Sequence, residues 1–106
     1  MSMSEPEIFK VLSDPTRRAI LERLAGGEAT ATDLREGFAI TQPAMSQHLA
    51  VLRGAGLVNE RRAGRYAHYS VNAEGFAPLH AWLARYRAFW PSRIDNLKDL
   101  LREMDQ

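Results

Sequence analysis

The side chains with chemistry to offer cluster between Thr41 and Asn72, in the stretch TQPAMSQHLAVLRGAGLVNERRAGRYAHYSVN. Gln42, Ser46, Gln47 and His48 carry amide, hydroxyl and imidazole groups. Arg53, Arg61, Arg62 and Arg65 follow, with Tyr66 beside the last. Groups that both donate and accept suit the edges of base pairs, and a glutamine can pair bidentately with adenine. Guanidiniums suit phosphates. This is equipment for recognition. The chain has no cysteine nucleophile, no glycine-rich phosphate loop and no paired carboxylates spaced beside a histidine, so an enzyme is not expected.

Two elements must present these groups together. Thr41 can cap a helix, and Pro43 fits its first turn because a proline's missing N–H has no helical partner there. Met45, Leu49 and Leu52 follow at steps of four and three, so they share one face that must be buried. Pro43, Ser46, Gln47 and Ala50 then point the other way, with no long charged stem among them. This predicts a reader helix over 41–54, ended at Gly54 or Gly56, either of which suits a left-handed C-terminal position. The major groove of B-DNA, about 12 Å wide, admits such a helix. Beyond it, Tyr66, His68 and Ser70 alternate with Ala67, Tyr69 and Val71 after the turn signal Gly64-Arg65. Period-two alternation predicts a β-hairpin over 57–72. Its tip carries Arg61, Arg62 and Arg65, placed to grip phosphates or the adjacent minor groove. The blander alternatives are a helix surface that only passes near the backbone and a solvated hairpin tip.

The net charge is only +1, but its distribution is uneven. Residues 1–40 hold five basic and seven acidic side chains, residues 41–72 four basic and one acidic, and residues 73–106 five of each. Positive charge is concentrated on the reader stretch, and local potential matters more to a polyanion than the total. At 106 residues, with 45% hydrophobic and 25% charged side chains, the chain has the composition of one ordinary globular domain. No apolar run is long enough to span a bilayer and no secretory signal is visible, so the cytoplasm is the expected location.

Around the reader stretch, Glu5 to Leu12 reads as a helix with Ile8, Val11 and Leu12 on one side. Asp14 and Pro15 are a good cap and first residue for a second helix, with Ile20, Leu21 and Leu24 inward and Gly26-Gly27 ending it. Arg17 and Arg18 lie in its first turn, the wrong end for the helix dipole. They read as a solvated face, or as a phosphate contact or an ion pair with a neighbouring helix. Thr32 or Thr30 caps a third short helix through Phe38, and Ala39-Ile40 joins it to the reader, giving a helix-turn-helix. After Asn72, Phe76, Leu79, Leu83, Tyr86 and Trp90 step by three and four in a heptad-like seam. Pro91 predicts a kink or a fresh start, since proline removes a helical hydrogen bond. Ile94, Leu97, Leu101 and Met104 resume the rhythm, and Trp82 and Phe89 fall off the seam. Together with Ile8, the seam exceeds what one small core absorbs, and left-over apolar surface predicts a homodimer. A two-fold dimer would set two reader helices about 34 Å apart on DNA. The alternative is that these helices simply cap the monomer core.

Three segments, LSDPTRRAILERL at 12–24, AMSQHLAVLRGAGLV at 44–58 and GRYAHYSV at 64–71, resemble in sequence, order and spacing the ArsR-type winged helix-turn-helix repressors of bacteria. The resemblance implies a homodimer that binds double-stranded DNA at an inverted-repeat operator and represses transcription. It implies a reader helix from Gln42 to Arg53, with Gln42, Pro43, Ser46, Gln47 and His48 nearest the bases, and a wing from Arg61 to Tyr69. Many members respond to metals through cysteines near the third helix or Asp and His pairs on the last. Here that region reads TATDLREGF, without a thiol, and the last helices offer only His80. Soft ions need thiolates and zinc needs converging ligands, so no metal or other cofactor is expected and the chain resembles the metal-independent, cysteine-free branch. An unknown small-molecule inducer stays open, and Trp82, Phe89 and Trp90 could lodge an apolar one.

The expected architecture is thus one domain over 1–106, mainly α with a small β-hairpin. Its order is α-α-α-α-β-β-α, with the last helix kinked or split near Pro91. The reader is 41–54, the wing 57–72, and the dimerisation helices 5–12 and 73–104. A winged-helix module that binds protein instead of DNA is the competing function. His48 reads as a packing histidine or a phosphate contact, His68 as a surface strand residue, and His80 as a seam or surface residue.

Overall fold

The computed structural model describes residues 4–89 and 101–104. Helix α1 spans Glu5–Leu12 and α2 spans Pro15–Ala25. A short strand β1, Ala29–Thr30, precedes α3, Ala31–Glu36, and α4 runs Gln42–Gly54. Strands β2, Val58–Ala63, and β3, Tyr66–Val71, form the hairpin. A 3₁₀ turn at Ala73–Phe76 leads into α5, Ala77–Arg85, and a second 3₁₀ turn covers Arg87–Phe89.

Each of the first four helices starts at a side chain that satisfies otherwise orphaned backbone N–H groups. The Ser4 hydroxyl accepts from the Glu7 N–H. Asp14 Oδ1 accepts from the N–H groups of Thr16 at 2.8 Å and Arg17 at 3.3 Å. Thr30, and not Thr32, caps α3 in a reciprocal box with Asp33. Thr41 Oγ1 accepts from Ala44 at 3.2 Å. Gly54 is the last residue of α4, and Gly56 takes the left-handed conformation, with φ +78°. Gly64, φ +63°, comes first in the two-residue turn between the paired Ala63 and Tyr66, the glycine placement of a type II′ hairpin.

The sheet is three-stranded and antiparallel in the order β1-β3-β2. Strand β1 adds an element to the expected order: Ala29 and Thr30 pair with Tyr69 and His68. Two residues are too few to show alternation, so only the distant partner reveals the strand. The core gathers Ile8, Ile20, Leu24, Leu34, Met45, Leu49, Leu52, Leu57 and Val58 from four helices and the sheet. Each such aliphatic side chain contributes about 1.5–3 kcal/mol by leaving water.

Several expectations change here. Ile8, expected at a dimer interface, is 0% exposed and lies inside its own subunit. Phe76 and Leu79 also pack against that core. The reason is size: a small domain needs the inner faces of α1 and α5 to close its interior. Helix α5 gives way at Arg85, with Tyr86 N–H bonding back to Leu83 in a tighter turn. The break expected at Pro91 itself, and Trp90, Ile94 and Leu97, lie outside the described residues.

Arg17 and Arg18 do something none of the sequence alternatives foresaw. Arg17 Nε donates to the Val11 carbonyl at 2.9 Å and Arg18 Nη1 to the Leu12 carbonyl at 2.7 Å. Both guanidiniums therefore cap the C-terminal end of α1, where carbonyls lack helical partners and the dipole favours cations.

Candidate nucleic-acid interface

Helix α4 divides cleanly. Met45, Leu49 and Leu52 are buried against the core, while Gln42, Pro43, Ser46, Gln47 and Ala50 are exposed. Burial of one stripe forces the amide and hydroxyl groups outward. α3 packs against α4, completing the helix-turn-helix. His48 sits at the edge of this surface, half-buried. It turns close enough to the Asp14 carboxylate to act on it electrostatically. Of the residues expected nearest the bases, it is the one not fully presented.

Strand alternation sorts the wing arginines onto two faces. Val58, Glu60 and Arg62 pair with Val71, Tyr69 and Ala67, on the face that covers the core and meets α4. Asn59, Arg61 and Ala63 pair with Ser70, His68 and Tyr66, on the opposite face. Arg62 and Arg53 therefore stand on the reader's side and Arg61 does not. Arg65 and the exposed Tyr66 occupy the tip.

Carboxylates fix most of these cations. Arg53, in the last turn of α4, and Arg62 both pair with Glu60, Arg62 Nε at 3.0 Å. The Glu60 side chain is only 9% exposed, while Arg53 and Arg62 are 55% and 76% exposed. Across the ladder, burial pushes the Tyr69 hydroxyl pKa up, with the nearby Glu60 charge adding to it. On the far face Arg61 Nη2 donates to Glu28 at 2.7 Å, and His68 Nδ1 lies 3.6 Å from the same oxygen. The hydrogen bond from Arg61 holds the Glu28 carboxyl below the usual carboxylate range. Among the described residues Arg65 makes no ion pair. No group of three or more His, Asp or Glu side chains among the described residues stands together as a metal ion would need.

Sequence reasoning did not find the roles of Glu60 and Glu28, or of Phe9. Alternation alone would have put Glu60 and Arg62 on one face. Phe9 lies on the side of α1 away from Ile8, and its ring meets Trp82 edge-on, centroids 5.1 Å apart.

A polar, exposed second helix of a helix-turn-helix, flanked by an arginine-bearing hairpin, defines a winged-helix DNA-binding protein. Known proteins agree. A helix-turn-helix domain family matches residues 12–61. The chain is 39% identical over 79 residues to the transcriptional repressor SdpR of Bacillus subtilis (strain 168), covering 74% of this chain and 88% of that protein. It is 38% identical over 98 residues to the HTH-type transcriptional regulator Rv2034 of Mycobacterium tuberculosis (strain ATCC 25618 / H37Rv), covering 92% and 89%. The crystal structure of an ArsR family transcriptional regulator superposes with a TM-score of 0.72 at 35% identity, covering 81% of this chain and 94% of that one. The chain belongs to the ArsR-type winged helix-turn-helix transcriptional regulators and is a DNA-binding repressor by family. Among the described residues no helix is long and apolar enough to cross a membrane.

Proposed function

We propose that two copies of this chain bind an inverted-repeat operator in the cytoplasm, each laying α4 in a major groove and its wing along the adjacent minor groove. The observation that carries this reading is the outer face of α4, where Gln42, Ser46 and Gln47 are exposed together and, among the described residues, no side-chain hydrogen bond occupies them. On this reading Gln42, Pro43, Ser46 and Gln47 meet base edges and Arg65 meets phosphate or the minor groove.

The homodimer is supported by an aromatic run along α1, α5 and the 3₁₀ turn that follows it. Phe9 meets Trp82, Trp82 meets Tyr86 at 4.8 Å, and Tyr86 meets Phe89 at 6.5 Å. Phe9, Tyr86 and Phe89 remain exposed, as do Leu101 and Met104. An exposed Arg85–Glu5 ion pair also ties the two helices. On this reading the subunits meet through Phe9, Trp82, Tyr86 and Phe89, on the outer side of the expected seam, with Leu83 half-buried between, because Ile8 is buried and Phe76 and Leu79 pack against their own core.

The test is selection of a duplex from random sequence by the purified protein, followed by titration over a salt series. A palindromic consensus and an affinity falling linearly in log salt are expected, because each neutralised phosphate releases counterions. Weak, salt-insensitive binding without a consensus would instead support a protein-interaction module.

A further inference from the structure

Reader helix and wing occupy neighbouring grooves on the reading above, so one sugar-phosphate strand must pass through the gap between them. The Arg53–Glu60–Arg62 cluster bridges the last turn of α4 and strand β2 of the wing. Arg53 comes from the last turn of α4, Arg62 from β2, and Glu60 from β2 on the face that meets α4. We propose that Glu60 is a positioning residue, which holds Arg53 and Arg62 together on one backbone phosphate of that strand.

The geometry argues for positioning rather than simple neutralisation. Two cations share one carboxylate, so the cluster keeps a net positive charge. The carboxylate is nearly enclosed while both guanidiniums reach solvent. A guanidinium has five N–H donors. Arg53 engages Glu60 through Nη1 and Arg62 through Nε, leaving the remaining donors of each for an external oxygen. Arginine side chains are rotamer-rich, and fixing them before contact removes an ordering cost from binding. The same bridge links the two DNA-facing elements, so it also sets the reach of the wing relative to the helix.

The Arg61–Glu28 pair is a built-in comparison. It has the same chemistry, at 2.7 Å, but lies on the opposite sheet face and joins nothing to α4. Releasing Arg61 frees a cation without disturbing the reader.

The inference rests on the DNA-binding reading, and the experiment separates the two. The full chain and its variants are titrated with the selected duplex and with a random duplex of equal length, at several salt concentrations. Glu60→Gln is expected to weaken binding to the selected duplex about tenfold. Random-duplex binding should hold or rise, because the substitution adds one positive charge. Glu28→Gln should leave the ratio of the two affinities unchanged. Arg62→Gln should lower the salt slope by about one in the parent chain, and should lose less in the Glu60→Gln background. An unchanged affinity ratio in Glu60→Gln, or an Arg62→Gln loss identical in both backgrounds, overturns the assignment. If Glu60→Gln fails to fold by circular dichroism, the Arg53→Gln and Arg62→Gln cycle decides with Glu60 in place. Coupled losses support a shared phosphate, and additive losses refute it. A parent chain with no salt-dependent affinity for any duplex rejects the DNA-binding reading itself, and this inference with it.

Discussion

Gly75 lies so close to Gly56 that a Cβ built on it would stand 2.0 Å from the Gly56 carbonyl oxygen. That oxygen also accepts a hydrogen bond from Asn72 Nδ2 at 2.8 Å, and Asn72 N–H donates to the Leu57 carbonyl at 2.9 Å. The end of the reader helix is thereby pinned to the start of α5. Because the obstacle is backbone, Gly75→Ala should destabilise the fold by about 1–3 kcal/mol. Chemical denaturation reads this directly, and an unmoved midpoint would mean the junction relaxes freely.

Self-association should depend on the exposed aromatics more than on the inner seam. Phe89 is 75% exposed and no part of the subunit core, so Phe89→Glu should separate the subunits without unfolding them. A loss of roughly 2 kcal/mol in association is expected of a central aromatic anchor. Leu83→Glu should also yield monomers. Sedimentation equilibrium distinguishes the outcomes, and persistent dimers in both variants would place the interface elsewhere.

Base preference should follow the α4 surface. Gln47→Ala removes a bidentate donor and acceptor, and should cost roughly 1–3 kcal/mol of discrimination at one base pair. Repeating the duplex selection with the variant shows whether one position of the consensus relaxes. A consensus and affinity identical to the parent's would remove Gln47 from the reader.

The wing arginines should differ in kind. Arg65, at the tip and without an ion pair among the described residues, should account for about one unit of salt slope. Arg61 faces away from α4 and is held by Glu28, so Arg61→Gln should change the slope less. Equal slopes for the two variants would argue that the wing reorients on DNA.

Acid stability should report the α2 cap. Desolvation tends to raise the Asp14 pKa, but the Arg17 and Thr16 N–H groups, with His48 and Arg17 charges, outweigh it and hold it below its ordinary value. A lowered folded pKa means the contribution is complete above the unfolded value and fades as pH falls through the folded one. Asp14→Ser keeps a capping oxygen that does not titrate. Its stability should therefore decline less than the parent's as the pH falls from neutral through the ordinary carboxylate range and below. Parallel pH profiles by thermal melting would remove Asp14 from the acid response.

What could be read from the chain alone was whatever is written in local spacing. Met45, Leu49 and Leu52 fixed the buried side of α4, and hence the exposure of Ser46 and Gln47. Thr41, Asp14 and Pro15 marked helix starts by their own chemistry. Contacts between distant residues were not legible in this way. Strand β1 exists only because Tyr69 and His68 pair with it. Arg17 and Arg18 could be identified as caps only once α1 was seen to end beside them. Three-four spacing identifies a buried face but not what buries it. Ile8 is enclosed by its own subunit, and Phe76 and Leu79 pack in part against the same core.

The sheet order leaves β2 with one flank unpaired. A bare strand edge can template addition of a strand from another molecule, and charged side chains along it oppose that. Glu60, Arg61 and Arg62 occupy this strand, so they also guard against fibre-like stacking of neighbouring molecules. A wing stripped of all three charges would risk precipitation for reasons unrelated to promoters, which limits how far this segment can drift in composition.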